Sequence, residues 1–296
     1  MSVITPIRTP AEAGLIDLYK VVRNTLPGTK TTLKHRDEAF AVIEAAGLPH
    51  RRVEDWKYTD LRNLMQEAPP LAARPHLAET DPAIAKSKAF AAVAGARVTF
   101  VNGHLVTTEA IPEGVEVTPL AEALTNGHPL LARMGGPEVA RDNAAVALNS
   151  AFVADGAIIA VADGVTLEEP LVLRFINTGT KAFATSPRVV LAMGDGAALT
   201  LVESHEGPGG VGYHSNSVVE IVAGSSVDIA HIRLNAEGDR ALALSTLMVT
   251  LGADAKFAST GVVAGGHVSR HQVFLAFAGE RSVATIGGAT MLAGKS

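Results

Sequence analysis

From residue 157 onward the apolar positions come in short runs, each bounded by Gly, Asp or Pro. In order they are AIIAV, VTL, PLVLRFI, RVVLAM, ALTLVE, SVVEIVA, SVDIAHI, STLMVTL, FASTGVV, QVFLAFA and SVATI. Their length, β-branched content and flanking turn residues predict strands. Turn-opening glycines recur at Gly196, Gly224, Gly252 and Gly279, in steps of 28, 28 and 27 residues, with Gly164 a further 32 upstream. The longer first step fits a small insertion at 177–185. A fixed period of this size marks supersecondary units that bury their apolar faces only by stacking on their neighbours. Two strands per unit without helices predict a β-solenoid with one coil per repeat. An antiparallel sandwich with evenly spaced turns is the competing reading.

The first half has a different rhythm. Thr9 can cap a helix with Pro10 at its first position, and Leu15, Leu18, Tyr19 and Val22 share one face. A second helix is expected from about 33 to 46, carrying Phe40 and Ile43 and stopped by Gly47. Residues 67–88 contain Pro69, Pro70, Pro75 and Pro82, which predicts a connector without a packed element. In VTFVNGHLV (98–106), Asn102-Gly103 supplies the two positive φ angles of a type I′ turn, hence a β-hairpin. Residues 119–149 read as two short helical pieces broken by Gly135-Gly136-Pro137. The expected division is therefore an N-terminal α/β domain over 1–148 (helices, Pro-rich connector, β-hairpin) and a β-solenoid over 149–296.

Composition removes several functions. The formal net charge is −5 with 19 % charged residues, so the chain lacks the positive field used to bind nucleic acid non-specifically. It has no cysteine, which rules out disulfides and thiolate chemistry from these residues. The first twenty residues lack the apolar centre of a signal peptide, and no apolar run is long enough for a membrane helix. A cytoplasmic protein with no membrane partner is the expectation.

Two segments carry a resemblance: VEDWKYTDLRNL (53–64) and ALNSAFVADGAIIAVADGVTLEEPLVLRF (147–175), the latter with Asp155-Gly156 and Pro170 at defined offsets. Together with RVVLAMGDGAALTLVESHEG and VSRHQVFLAFAGERSVATIGGATML, they resemble the SufB/SufD family of the SUF iron–sulfur cluster assembly system. The likeness runs from about residue 35 onward. GLPHRR ahead of EDWKYTDL and the lack of cysteine point to the SufD branch, since SufB is the branch expected to supply cluster thiolates. The resemblance implies a right-handed parallel β-helix preceded by an N-terminal α/β domain. It also implies a non-catalytic scaffold that pairs with a SufB-like paralogue and a SufC-like ATPase. No cofactor would be bound stably by this chain, with a transient iron–sulfur cluster in the full complex. Because family members are longer and close with a helical domain, the chain is expected to be C-terminally truncated. Contacts to the ATPase would lie largely in the missing part, and the uncapped coil would self-associate as a homodimer or larger species.

No catalytic, cofactor-binding or metal residue is assigned, and five local features have a plainer reading. ATMLAGKS at 289–296 fits a relaxed phosphate-loop pattern but lacks a following helix, so nucleotide binding is not expected of it. Glu203 and His205 share a strand face, without an evident third metal ligand, and are read as a strand end facing solvent. His267 and His271 lie too far apart on an extended strand, roughly 13 Å, to hold one ion. His214 and His231 have no partner identifiable from sequence, and Trp56, within Asp55-Trp56-Lys57-Tyr58, suits a core anchor better than a partner surface. Besides the scaffold, two readings stay open: a polysaccharide-active β-helix enzyme and a homo-oligomeric structural module. The first needs a carboxylate-lined groove, and acidic residues along the coil are few and scattered, including Asp195, Glu203, Glu220, Asp228 and Asp254.

Overall fold

The structure is a computed structural model that describes residues 8–292. The N-terminal part contains α1 (Pro10–Val22), α2 (Lys30–Ala46), α3 (Leu61–Leu64) and α4 (Leu77–Lys86). It continues with β1 (Ala96–Val101), β2 (His104–Glu109), β3 (Val115–Pro119), α5 (Leu120–Asn126) and α6 (Ala144–Phe152). Thr9 caps α1 in a capping box with Glu12, and Gly47 ends α2 at a φ of 75°. The hairpin turns at Asn102 and Gly103, both at positive φ, between antiparallel β1 and β2. Two boundaries differ from the sequence reading. The 67–88 stretch is not all connector: α4 forms within it and tolerates Pro82 in its interior. The helix around Asn149 continues to Phe152, because nearly all of α6 is buried and tertiary packing sustains it.

The solenoid comprises β4 (Gly156–Val161), β5 (Leu171–Ile176), β6 (Phe183–Thr185), β7 (Arg188–Met193), β8 (Ala198–Glu206), β9 (Tyr213–Ala223) and β10 (Asp228–Ala236). It continues through β11 (Ala241–Leu251), β12 (Lys256–Val263), β13 (Val268–Phe277) and β14 (Val283–Thr290). From β7 onward consecutive strands alternate between two sheets, ordered β14-β12-β10-β8-β5-β1-β2 and β13-β11-β9-β7-β4-β3, with the short β6 pairing β9. From β4 to β14 every pairing within a sheet is parallel. That excludes the antiparallel sandwich and gives a two-sheet β-solenoid. The N-terminal part is joined to the same sheets: β1 runs parallel to β5, and β3 pairs antiparallel with β4.

The repeat itself needs one correction. Gly224 and Gly252 stack on Gly194 and not on Gly196, since the Gly224 N–H donates to the Met193 carbonyl and the Gly252 N–H to Ala223. Along the stacked turns the left-handed position is held by Gly164, Gly196, Ser226, Asp254 and Arg281. The true steps are therefore 32, 30, 28 and 27 residues, so successive coils shorten. A non-glycine residue at positive φ pays a steric penalty that glycine avoids. Ser226→Gly is accordingly expected to stabilise the fold by about 0.5–1 kcal/mol, read as a higher urea midpoint at unchanged slope.

Inside the solenoid, Leu199, Leu201, Val219, Ile221, Ile229, Val249, Leu251 and Phe257 form a continuous buried core between the sheets. The outer face of the β9–β11 sheet is covered by α6 and the N-terminal helices. Tyr19, Phe40 and Phe152 pack as one aromatic cluster there, with Leu242 and Leu244 beneath. Asn149, fully buried on α6, donates to the carbonyls of Pro187 and Asn216 on two neighbouring coils. Asn216 returns the contact by donating to the Ala145 carbonyl. These bonds tie α6 to the backbone of the coils it covers.

Candidate functional site

On β8, β10, β12 and β13 the inward positions are apolar at one end and polar at the other. Along β10, Ile229 begins the inward series and His231, Arg233 and Asn235 complete it, all buried. The register places Glu203 beside Arg233, and His205 beside Asn235. Strand alternation puts these side chains into one strip of the solenoid interior.

Glu203 is the hub of that strip. His205 Nε2 lies 2.5 Å from one carboxylate oxygen and Arg233 Nε donates to the same oxygen at 3.2 Å. His231 Nε2 lies 3.2 Å from the other, while its Nδ1 meets the Ser259 hydroxyl at 2.9 Å. Burial alone would push the Glu203 carboxyl up, but the hydrogen bonds from His205 and His231 and the charges of His205 and Arg233 hold it well below the usual range. Across the interior, His271 meets Ser245 at 2.9 Å. Burial, then the nearby Arg233 charge, pushes His271 down to about 3. The strip is continued by ring stacking, with Phe100 on Phe175 and Phe175 on His205 at centroid distances of 4.7 and 4.6 Å.

This placement overturns the solvent-facing reading of Glu203 and His205: each is 2 % exposed. It also supplies His231 with partners. Period-two alternation alone could have put these residues on either face. The signal available in the sequence was Glu203 at one coil and Arg233 thirty residues on, one coil length apart. His267 is exposed and precedes β13, whereas His271 points inward, so the two histidines stay apart. His214 lies on the outer side against Leu15, Phe152 and Leu242, and burial there pushes it down to about 4. Among the described residues no group of three His, Asp or Glu side chains is placed to hold a metal ion. Glu203 already has His205, His231 and Arg233 as partners, so the strip is a buried polar core and offers no free donor set.

The motif residues prove to be joints. Asp155 is fully buried and accepts from the backbone N–H of Leu105 (3.1 Å) and Ala121 (3.0 Å), with Arg74 at 3.3 Å. It thereby ties β2, α5 and β4 together. Gly156, at a φ of 151°, faces the Arg188 carbonyl so closely that an added Cβ would sit 1.8 Å away. In the EDWKYT segment, Trp56 is 3 % exposed and lies beneath the Arg270 guanidinium of β13 at 4.1 Å. Arg270 also donates to the Asp55 carbonyl and the Thr59 hydroxyl. Arg270→Ala should cost roughly 2 kcal/mol through the lost cation–π contact and hydrogen bonds. The lone tryptophan makes this visible: its emission should shift red in the folded variant, and an unchanged spectrum would contradict the clamp.

The five acidic candidates do not converge on a groove. Glu203 lies inside the solenoid, and Glu220 is buried beneath Gly135 and Gly136 with Arg188. Asp195 holds the Ser225 turn, Asp254 pairs with Arg281, and Asp228 is exposed at a strand start. The phosphate-loop residues Gly294, Lys295 and Ser296 lie outside the described residues. No helix among the described residues is long and apolar enough to cross a membrane.

The SufBD protein N-terminal region matches residues 9–173, and the SUF system FeS cluster assembly SufBD core domain matches residues 175–296. A curated relative, an iron–sulfur cluster assembly SufBD family protein of Synechocystis sp., is 23 % identical over 273 residues. That alignment covers 88 % of this chain and 60 % of the relative, so the chain spans about three fifths of the relative's length. With both regions matched in order across a two-sheet parallel solenoid, the chain belongs to the SufBD family of the SUF iron–sulfur cluster assembly system.

Proposed function

We propose that this chain is a non-catalytic scaffold subunit of the SufD branch, pairing with a SufB-like paralogue and a SufC-like ATPase in the cytoplasm. The observation that carries the reading is the absence of cysteine from all 296 residues of a family member devoted to iron–sulfur assembly. Sulfide-bridged iron is held chiefly by thiolates, so the nascent cluster, as cargo, would be held by the partner's thiolates. The interior supports the same reading. A buried carboxylate held by a guanidinium and two imidazoles is built to hold coils in register, with both of its oxygens already engaged. In this arrangement 1–148 is the flanking α/β domain, 149–296 is the rigid coil, and neither binds a cofactor stably.

The test is co-expression of the complete gene product with its SufB-type and SufC-type partners, followed by affinity capture on this subunit. All three should co-purify, and reconstituted iron and sulfide should follow the SufB-like chain after the complex is dissociated. Failure to capture either partner would overturn the scaffold assignment. A stable cluster left on this chain alone would overturn the division of labour.

A further inference from the structure

A cavity of about 670 Å³ opens between α2, α6 and the 127–141 segment, away from the polar strip inside the solenoid. One wall is apolar, formed by Leu131, Met134 and Val146 among others. The charged lining is mainly basic. Arg36, Arg141 and Arg188 all line the cavity, against a single lining carboxylate, Glu38, whose ion-pair partner is Lys34.

The three arginines differ in how well their charges are met. Arg188 pairs with Glu220 at 2.9 Å and donates to Ser150, yet its Nε has no acceptor. Arg36 is 2 % exposed and donates only to the carbonyls of Pro27 and Ala151. Among the described residues no carboxylate pairs with it, and burial lowers it to about 10. A buried guanidinium without a counter-ion is costly unless something supplies the negative charge. Arg141, exposed at the rim, makes no ion pair among the described residues. The first turn of the 17-residue α2, with Thr29, Thr31 and Thr32, borders the same cavity and adds the positive end of the helix dipole. The apolar wall is held in place from below, since the Gly135 and Gly136 N–H groups both donate to Glu220.

We propose that this cavity is a binding site for a small anionic amphiphile. Its single anionic head would sit between Arg36 and Arg141, and its apolar body against Leu131, Met134 and Val146. The volume is in the range of small-molecule sites, and mixed walls of this kind fix a ligand's orientation through few polar groups. Because no part of the argument uses the SufB-like or SufC-like partners, it is independent of the scaffold reading.

Calorimetric titration of the 296-residue chain with octanoate, octanol and octylammonium tests it. Octanoate should bind one to one, octanol at least tenfold more weakly, and octylammonium not at all. Ala39→Trp, which fills the cavity from α2, and Arg141→Glu, which reverses the rim charge, should each weaken octanoate at least tenfold. Circular dichroism melts will show that both variants are folded, and Arg141, being exposed, keeps the test open if the tryptophan does not fit. No heat with octanoate, an affinity unchanged in the folded variants, or equal binding of octylammonium would overturn the site.

Discussion

Glu203→Leu is expected to destabilise the fold by about 3–5 kcal/mol, which is a large fraction of the stability of an ordinary domain. The leucine itself fits a buried site. The loss arises because Arg233, 2 % exposed, keeps its charge and loses its carboxylate, and one of its nitrogens, Nη1, already lacks a partner. His205 and His231 lose an acceptor in the same step. The double variant Glu203→Leu/Arg233→Met removes both charges and should recover at least half of the loss, because a well-packed apolar pair can replace a buried ion pair at little cost. Urea denaturation of wild type, both single variants and the double gives the coupling energy directly. A single-variant loss below about 1 kcal/mol, or a double loss equal to the sum of the singles, would show that the strip is not a coupled unit.

Acidification is the second large effect. His271 is held at about 3 and His214 at about 4, both by burial first, against an ordinary value of 6.5. The unfolded chain therefore takes up protons at these two positions as pH falls through 6.5, while the folded chain does not until pH 4 to 3. Stability at these sites is complete above pH 6.5 and declines across that window, by up to about 1.4 kcal/mol per pH unit for each histidine. The Glu203 and Asp155 carboxyls, both held low in the fold, add a further loss below the ordinary carboxylate range. The groups facing His271 are Ser245, Arg233, Glu203, His231 and His205, and the Arg233 charge reinforces the neutral form. Urea midpoints at pH 7.5, 6.5, 5.5 and 4.5 should fall steeply below pH 6.5. In His214→Leu/His271→Asn the curve should flatten until the carboxylates titrate. A wild-type curve that is flat from pH 7.5 to 4.5 would contradict the burial of both rings.

The sequence carried much of this fold openly. Thr9-Pro10, Gly47 and Asn102-Gly103 announce their cap, stop and turn, and the structure uses each in that role. The repeat was legible because every coil needs the same turn, but its register was not. Gly196 looks equivalent to Gly224 by spacing, yet it occupies the left-handed position that Ser226, Asp254 and Arg281 fill in later coils. Glycine tolerates several backbone conformations, so its spacing marks a turn without saying which position of the turn it takes. Likewise α4 was hidden because proline content argued against a helix, while Glu79, which accepts from the His76 N–H, caps its start locally.

By itself, then, the sequence determined the coil, its approximate period, the helices ahead of it, the family and the absence of thiol chemistry. Those properties depend on local backbone preference and composition, which are written residue by residue. Only the tertiary structure decided that Glu203, His205, His231, Arg233 and His271 face one another in the interior. It also decided that Trp56 lies under Arg270, more than two hundred residues away, and that Arg36 borders a cavity without a counter-ion. The physical reason is that a strand presents both of its faces to the reader of a sequence. Which face becomes interior is fixed by what stacks above, below and across from it, and a polar residue on a strand turns inward only where the neighbouring coils bring its partner.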